Sequence, residues 1–232
     1  MDLGEAMRTT GSCRAFSPDA VPDEALASAF ELARFAPSGG NRQGWKVVVV
    51  RDKTSRSQIR DIHTRHWAQY IEGVAQGIVP FNTYRDPAGS APAAHRPMEP
   101  EWLAKVNEFA QNIDAIPVHL LLFADLRTLA VTDNDLGRQS IVGGGSIYPF
   151  AQNLLLALRG QGLGTSLTTL ICQSEPEIKA LVNAPDPYAL AALVLVGWPA
   201  KSLPKKLRRR GVESFATTDR FDGPTLRAEA EA

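Results

Sequence analysis

Three short apolar runs limit the architectures open to this chain. Residues 45–50 (WKVVVV) are β-branched and nearly continuous, which suits a strand covered on both faces. Residues 116–124 (IPVHLLLFA) and 189–197 (ALAALVLVG) are rich in leucine or valine and bounded by turn residues or charges, so they also read as strands. Helical patterns lie between them. Residues 22–36 place Leu26, Phe30 and Ala33 at four- and three-residue steps, with Pro22 suited to a first helical position and Pro37 ending the pattern. A second helix from Ser55 to Val74 carries Ile59, Ile62, His63, His66, Trp67, Tyr70, Ile71 and Val74 on one face. A third follows Gly143-Gly144-Gly145-Ser146 and runs through Arg159. It is apolar on most sides, as a central or subunit-interface helix would be. Strands and helices do not alternate as βαβ units, so the expected class is α+β around one sheet.

At 232 residues the chain is expected to form one domain, 1–232. A hydrophobic fraction of 44% and a charged fraction of 22% suit a soluble globular protein. Lys+Arg 25 balance Asp+Glu 25, so a general attraction to nucleic acid or to an acidic membrane is not expected. No apolar run approaches the roughly 18 residues of a membrane span, and MDLGEAMRTT has no basic-then-apolar leader pattern. Cys13 and Cys172 make neither a disulfide framework nor a metal-ligand spacing. The expectation is a cytoplasmic protein. Residues 80–100 hold Pro80, Pro87, Gly89, Pro92, Pro97 and Pro100 and read as a long loop, functional or disordered. Residues 201–232 read as a basic, irregular extension.

Four segments can carry chemistry. The first is Ser12-Cys13-Arg14-Ala15-Phe16; alone, its polar groups read as solvated. The second is the stretch from Ala36 to Trp45, APSGGNRQGW. Its small residues let a ligand approach the backbone, and Ser38, Asn41 and Gln43 offer donors and acceptors. A plain helix-to-strand turn is the alternative, and no lysine follows the glycines as a Walker loop requires. The third, Gly160-Gln161-Gly162-Leu163-Gly164-Thr165-Ser166-Leu167-Thr168-Thr169, follows a helix instead of opening one, so it is not a dinucleotide fingerprint. The fourth, Arg208-Arg209-Arg210, reads by itself as a solvated charge run.

The order of these segments is more specific than any one of them. An S-x-R-x-F loop, a helix, A-P-S-G-x-N-x-Q-x-W, a valine strand, an alanine- and leucine-rich helix, G-L-G-T and a basic segment resemble the nitroreductase family of FMN-dependent oxidoreductases, over residues 6–60 and 140–222. The resemblance implies a mostly antiparallel sheet flanked by helices, in a domain-swapped type of homodimer with FMN at the subunit interface. It also implies NADH or NADPH as electron donor and an electron-poor acceptor, such as a nitroaromatic or quinone, reduced by a ping-pong hydride-transfer cycle. On the same likeness Ser12, Cys13 and Arg14 lie near the flavin, with Arg14 at its N1/O2 edge. Ser38, Gly39, Asn41 and Gln43 contact the phosphoribityl chain or ring. Leu167, Thr168 and Thr169 line N5 and O4, and Arg208 and Arg210 hold the phosphate. Arginine forks match phosphate, and a cation at N1 tunes the flavin's potential. Thr10 and Gly11 stand where many relatives have two basic residues, which shifts the phosphate contact toward the tail, and Gly44 replaces a common proline.

No Ser-His-Asp set or carboxylate pair is visible, in keeping with chemistry carried by a flavin, so no catalytic side chain is assigned. His63 and His66 lack a third ligand and read as buried or interface histidines, not a metal site. Trp67, Tyr70 and Tyr84 suit either core packing or an aromatic substrate, and Cys172 reads as a small buried side chain. Two alternatives stand beside the main reading. One is a reductive dehalogenase or flavin-fragmenting enzyme on the same fold; the other is a flavin-storage protein without turnover.

Overall fold

The computed structural model describes residues 1–82 and 99–226. The apolar runs become strands β1 (Trp45–Val50), β2 (Val118–Asp125) and β4 (Tyr188–Gly197), and the G-L-G-T segment becomes β3 (Gly164–Thr168). They form one sheet in the order β1-β2-β4-β3, antiparallel at every pairing. With helices on both faces this is the expected α+β class.

Strand periodicity sorts the side chains between two layers. Val118, Leu120 and Leu122 of β2, with Ala192, Val194 and Val196 of β4, pack under α2 (Asp23–Ala33) and α5 (Tyr148–Gly160). Leu121, Phe123, Leu193 and Leu195 face α3 (Lys53–Ala75) and α6 (Glu175–Val182). A bulge between Leu122 and Phe123 skips Ala191, which puts Leu190 on the same face as Leu193 despite the odd spacing. The central strand β2 is buried at every position, whereas β1 lies at a sheet edge with only Val50 buried. Both faces of β1 are nonetheless packed, as expected: Trp45 and Val47 lie against the α2 and α5 layer, and Val48 and Val50 against the α3 and α6 layer. Its valines report β propensity and do not tell which strands flank it.

Helix α2 begins at Asp23, so Pro22 takes the N-cap position and not the first helical one, and the helix stops at Ala33. Asp52 caps α3 by accepting from the Ser55 N–H at 2.7 Å. No helix is expected at 100–111 from the patterns above, yet α4 (Pro100–Gln111) forms there. Its signal is a proline in the first turn followed by Trp102, Val106 and Phe109 at four- and three-residue steps. The Trp67 indole N–H donates to Asn107 Oδ1 at 2.7 Å and ties α3 to α4. Most of the proline-rich stretch, with Tyr84, lies outside the described residues. The 201–226 segment is irregular, as expected.

Candidate functional site

One group of candidate residues lies along β3. After α1 (Leu3–Thr9) the chain runs beside the sheet. Ser12 makes a parallel bridge with Thr165, the Cys13 N–H donates to Thr165 O at 2.7 Å, and the Ala200 N–H donates to Ala15 O at 2.9 Å. This approach requires glycines. A Cβ on Gly164 would sit 2.7 Å from Cys13 Sγ, and one on Gly197 would sit 2.9 Å from the Phe16 ring. Alternation along the segment leaves Ser12 and Arg14 exposed and turns Cys13 inward. Burial raises the Cys13 thiol above its ordinary value, against a smaller opposing contribution from the Ala15 backbone, so this residue offers a ligand its backbone and not a thiolate. Leu167 packs toward α2 and α5. Thr168 Oγ1 accepts from the Leu170 N–H at 3.2 Å, and Thr169 is exposed where the strand ends.

The basic tail returns to this edge. The Leu207 N–H donates to Arg8 O at 3.0 Å, which brings exposed Arg208 and Arg210 beside the end of α1. Leu207 Cδ2 lies 3.0 Å from where a Gly11 Cβ would be. Gly11 thus leaves room for the residue that docks the tail.

A second group lies on the loop between α2 and β1. Gly40, Asn41 and Gln43 have φ of 62°, 53° and 52°, a left-handed region that disfavours the two non-glycine residues. Local bonds hold the turn: Ser38 Oγ accepts from the Gln43 N–H at 3.0 Å, and Gln43 Nε2 donates to Asn41 Oδ1 at 3.2 Å. The Gly39 N–H donates to Ser146 Oγ at 3.1 Å. Gly44 O accepts from the Asp125 N–H at 2.7 Å, and the Thr128 hydroxyl fills the space a Gly44 side chain would need. Gly39, Asn41 and Gln43 are exposed.

The two groups do not meet within one chain. β1 and β3 are opposite edges of the sheet, and three strand spacings put roughly 14 Å between them. Ser12, Cys13, Arg14, Leu167, Thr168, Thr169, Arg208 and Arg210 share the β3 edge; Ser38, Gly39, Asn41 and Gln43 share the loop that enters β1.

The remaining titratable candidates are structural. His63 is buried, and burial pushes its imidazole down to about 4 against an opposing backbone bond at Ala110. His66 Nε2 lies 2.8 Å from Ser174 Oγ. His119 is fully buried, donates from Nε2 to Ile113 O at 2.8 Å, and is pushed by burial to about 4. Burial, then the Glu175 carboxylate, raise the Cys172 thiol to about 11, so it is a protonated packing group at neutral pH. Among the described residues no cluster of three His, Cys, Asp or Glu is arranged to hold a metal, and no helix is long and apolar enough to cross a membrane.

The chain fold adds a groove of about 810 Å³ beside Arg14, between the 14–16 segment and α4. Trp102, Lys105, Phe109 and Lys201 line it, and none of the four motifs contains them. The helical pattern of 100–111 is the sequence signal of Trp102, Lys105 and Phe109, and Lys201 opens the basic segment after Ala200.

A sequence model of the nitroreductase family matches residues 7–198. The chain is 24% identical over 234 residues to a nitrobenzene nitroreductase of Ectopseudomonas oleovorans, covering 93% of this chain and 96% of that one. It is 30% identical over 185 residues to nitroreductase NfnB of Mycolicibacterium smegmatis, covering 74% of each chain. A solved structure of oxidised iodotyrosine deiodinase bound to FMN and 3-iodo-L-tyrosine has the same fold. The TM-score is 0.64 at 24% identity, over 91% of this chain and 97% of that one.

Proposed function

The chain belongs to the nitroreductase family, and from that premise we propose that it is an FMN-dependent oxidoreductase drawing on NADH or NADPH to reduce an electron-poor acceptor such as a nitroaromatic or quinone. The observation that carries this reading is a set of guanidiniums left open at the β3 edge. Arg51, Arg60, Arg65, Arg127 and Arg138 each pair with a carboxylate. Among the described residues, Arg14, Arg208 and Arg210 have none. Unpaired arginine forks suit an anion, here the FMN phosphate and the electron-rich N1/O2 edge. The exposed backbone at Gly39 and Gly40 leaves room for a ligand to approach. The donor set therefore fits FMN.

When bound, FMN supplies two-electron transfer between the pyridine nucleotide and the acceptor. The chain's own residues bind and orient it. Arg208 and Arg210 hold the phosphate, and Ser12 donates its hydroxyl. Arg14 lowers the cost of negative charge at the N1/O2 edge, and the backbone of Leu167, Thr168 and Thr169 lines the N5 and O4 side. Cys13 contributes backbone only. No side chain is required to act as acid or base.

A complete site in this reading needs both edges, so a second copy supplies the loop that one chain holds some 14 Å away. The exposed side chains of Leu3, Met7, Leu32, Phe35, Ile141 and Phe215 give a homodimer apolar surface to cover. Reductive dehalogenation is the second reading, favoured by the likeness to iodotyrosine deiodinase over nearly the whole chain. Purified protein is expected to be yellow and to bleach anaerobically with NADH or NADPH. Nitroaromatic, quinone and halotyrosine acceptors then restore the colour at rates that rank the two reactions. Colourless protein that refuses added FMN would contradict both.

A further inference from the structure

The groove beside Arg14 has walls and a rim of different chemistry. Phe16, Trp102 and Phe109 give it aromatic walls, with Val106 and Ile116 behind them. Arg14, Lys105 and Lys201 stand on its rim against the single carboxylate of Glu108. The walls are held in place. Phe16 bridges Pro199 and packs over Gly164 and Gly197, Val106 is buried, and the bond from Trp67 to Asn107 fixes α4. The cations are available. Among the described residues Arg14 and Lys201 have no carboxylate partner, and Lys105 meets Glu101 only in an exposed pair, which holds an ammonium weakly.

An aromatic slot with a cationic rim selects a flat ring that carries negative charge. Rings stack on the walls, cations lie over ring faces, and a carboxylate finds charged donors at one end. The volume is within the range of small-molecule sites. We propose that this groove is a specificity site for an aromatic acceptor bearing an anionic substituent, with Lys105 and Lys201 receiving the anion, Phe16, Trp102 and Phe109 the ring, and Arg14 joining the groove to the flavin. The role as acceptor site rests on the reading of Arg14 as a flavin neighbour; the binding preference itself does not.

Calorimetric titration of the FMN-saturated protein, without nicotinamide, tests it. The ligands are 4-nitrobenzoate and 4-nitrobenzyl alcohol, which share ring and nitro group and differ in charge. The carboxylate is expected to bind about tenfold more tightly. That preference is expected to collapse in the double variant Lys105→Gln, Lys201→Gln, and Trp102→Ala is expected to weaken both ligands. With NADH or NADPH present, the ratio of kcat/KM for the carboxylate over the alcohol is expected to fall in the double variant. Equal affinity for the two ligands, or a preference that survives the double variant, overturns the inference. Protein that takes up no FMN is titrated as purified: that result counts against the proposed function, while the ligand preference still judges the groove.

Discussion

At the β3 edge, Ser12 and Arg14 are held by contacts far apart in sequence: Cys13 against Thr165 and Gly164, Ala15 against Ala200, and Leu207 against Arg8 and Gly11. At the β1 edge, Ser38, Asn41 and Gln43 are held mainly by one another, within a turn that uses left-handed backbone. The first edge is as rigid as the packing beneath it, and the second stores strain in a few exposed residues. The proposed ligand site, split this way, would join a fixed cationic face to a loop that is shaped locally.

Four outcomes break or sharpen that contrast. The largest concerns the layer between α3 and the sheet, where His63 of α3 and His119 of β2 are buried with pKa values near 4. An unfolded histidine titrates near 6.5, so the unfolded chain binds the extra protons first as pH falls. Their contribution is complete above about pH 6.5 and is lost on descending toward 4, by up to about 3 kcal/mol for each histidine. Chemical denaturation across that window is expected to show the fall, and His119→Gln is expected to flatten it. A stability that does not change between pH 7 and 4.5 would refute this.

Next in size, Gly164→Val drives a side chain into Cys13 and is expected to cost about 1–3 kcal/mol of stability and to weaken FMN binding. Arg208→Ala and Arg210→Ala are each expected to weaken FMN binding by about 1–3 kcal/mol without lowering Tm. Equilibrium titration beside thermal melts separates the two effects; a fall in Tm for the arginine variants would mean that the tail serves the fold instead. The smallest effect is at the other edge. Asn41→Gly relieves a left-handed backbone and is expected to stabilise the fold by no more than about 1 kcal/mol, seen as a small rise in Tm, while Asn41→Ala lowers it.

The same contrast explains what could be read without coordinates. The 36–45 loop was legible because its glycines, Asn41 and Gln43 set their own geometry. The 45–50 strand was legible from its valines, although its edge position was not, since propensity is blind to neighbours. At the β3 edge only the order of motifs was visible. The inward turn of Cys13, the fit of Leu207 over Gly11 and the meeting of Arg14 with Lys105 and Lys201 depend on segments brought together by tertiary packing. Helix α4 carries a readable period in Trp102, Val106 and Phe109, but the prolines that precede it have the composition of a loop and mask its start.

Mixed dimers test most directly whether one flavin is held by two chains. One chain carries Arg208→Ala and Arg210→Ala, which disable the β3 edge, and the other carries Gly39→Glu, which places a carboxylate in the loop at the β1 edge. Each homodimer is expected to lose FMN. In the purified heterodimer one site collects both defects and the other collects neither, so half of the sites are expected to fill with FMN. A heterodimer as empty as its parents would mean that each chain builds its site alone, and would contradict the account.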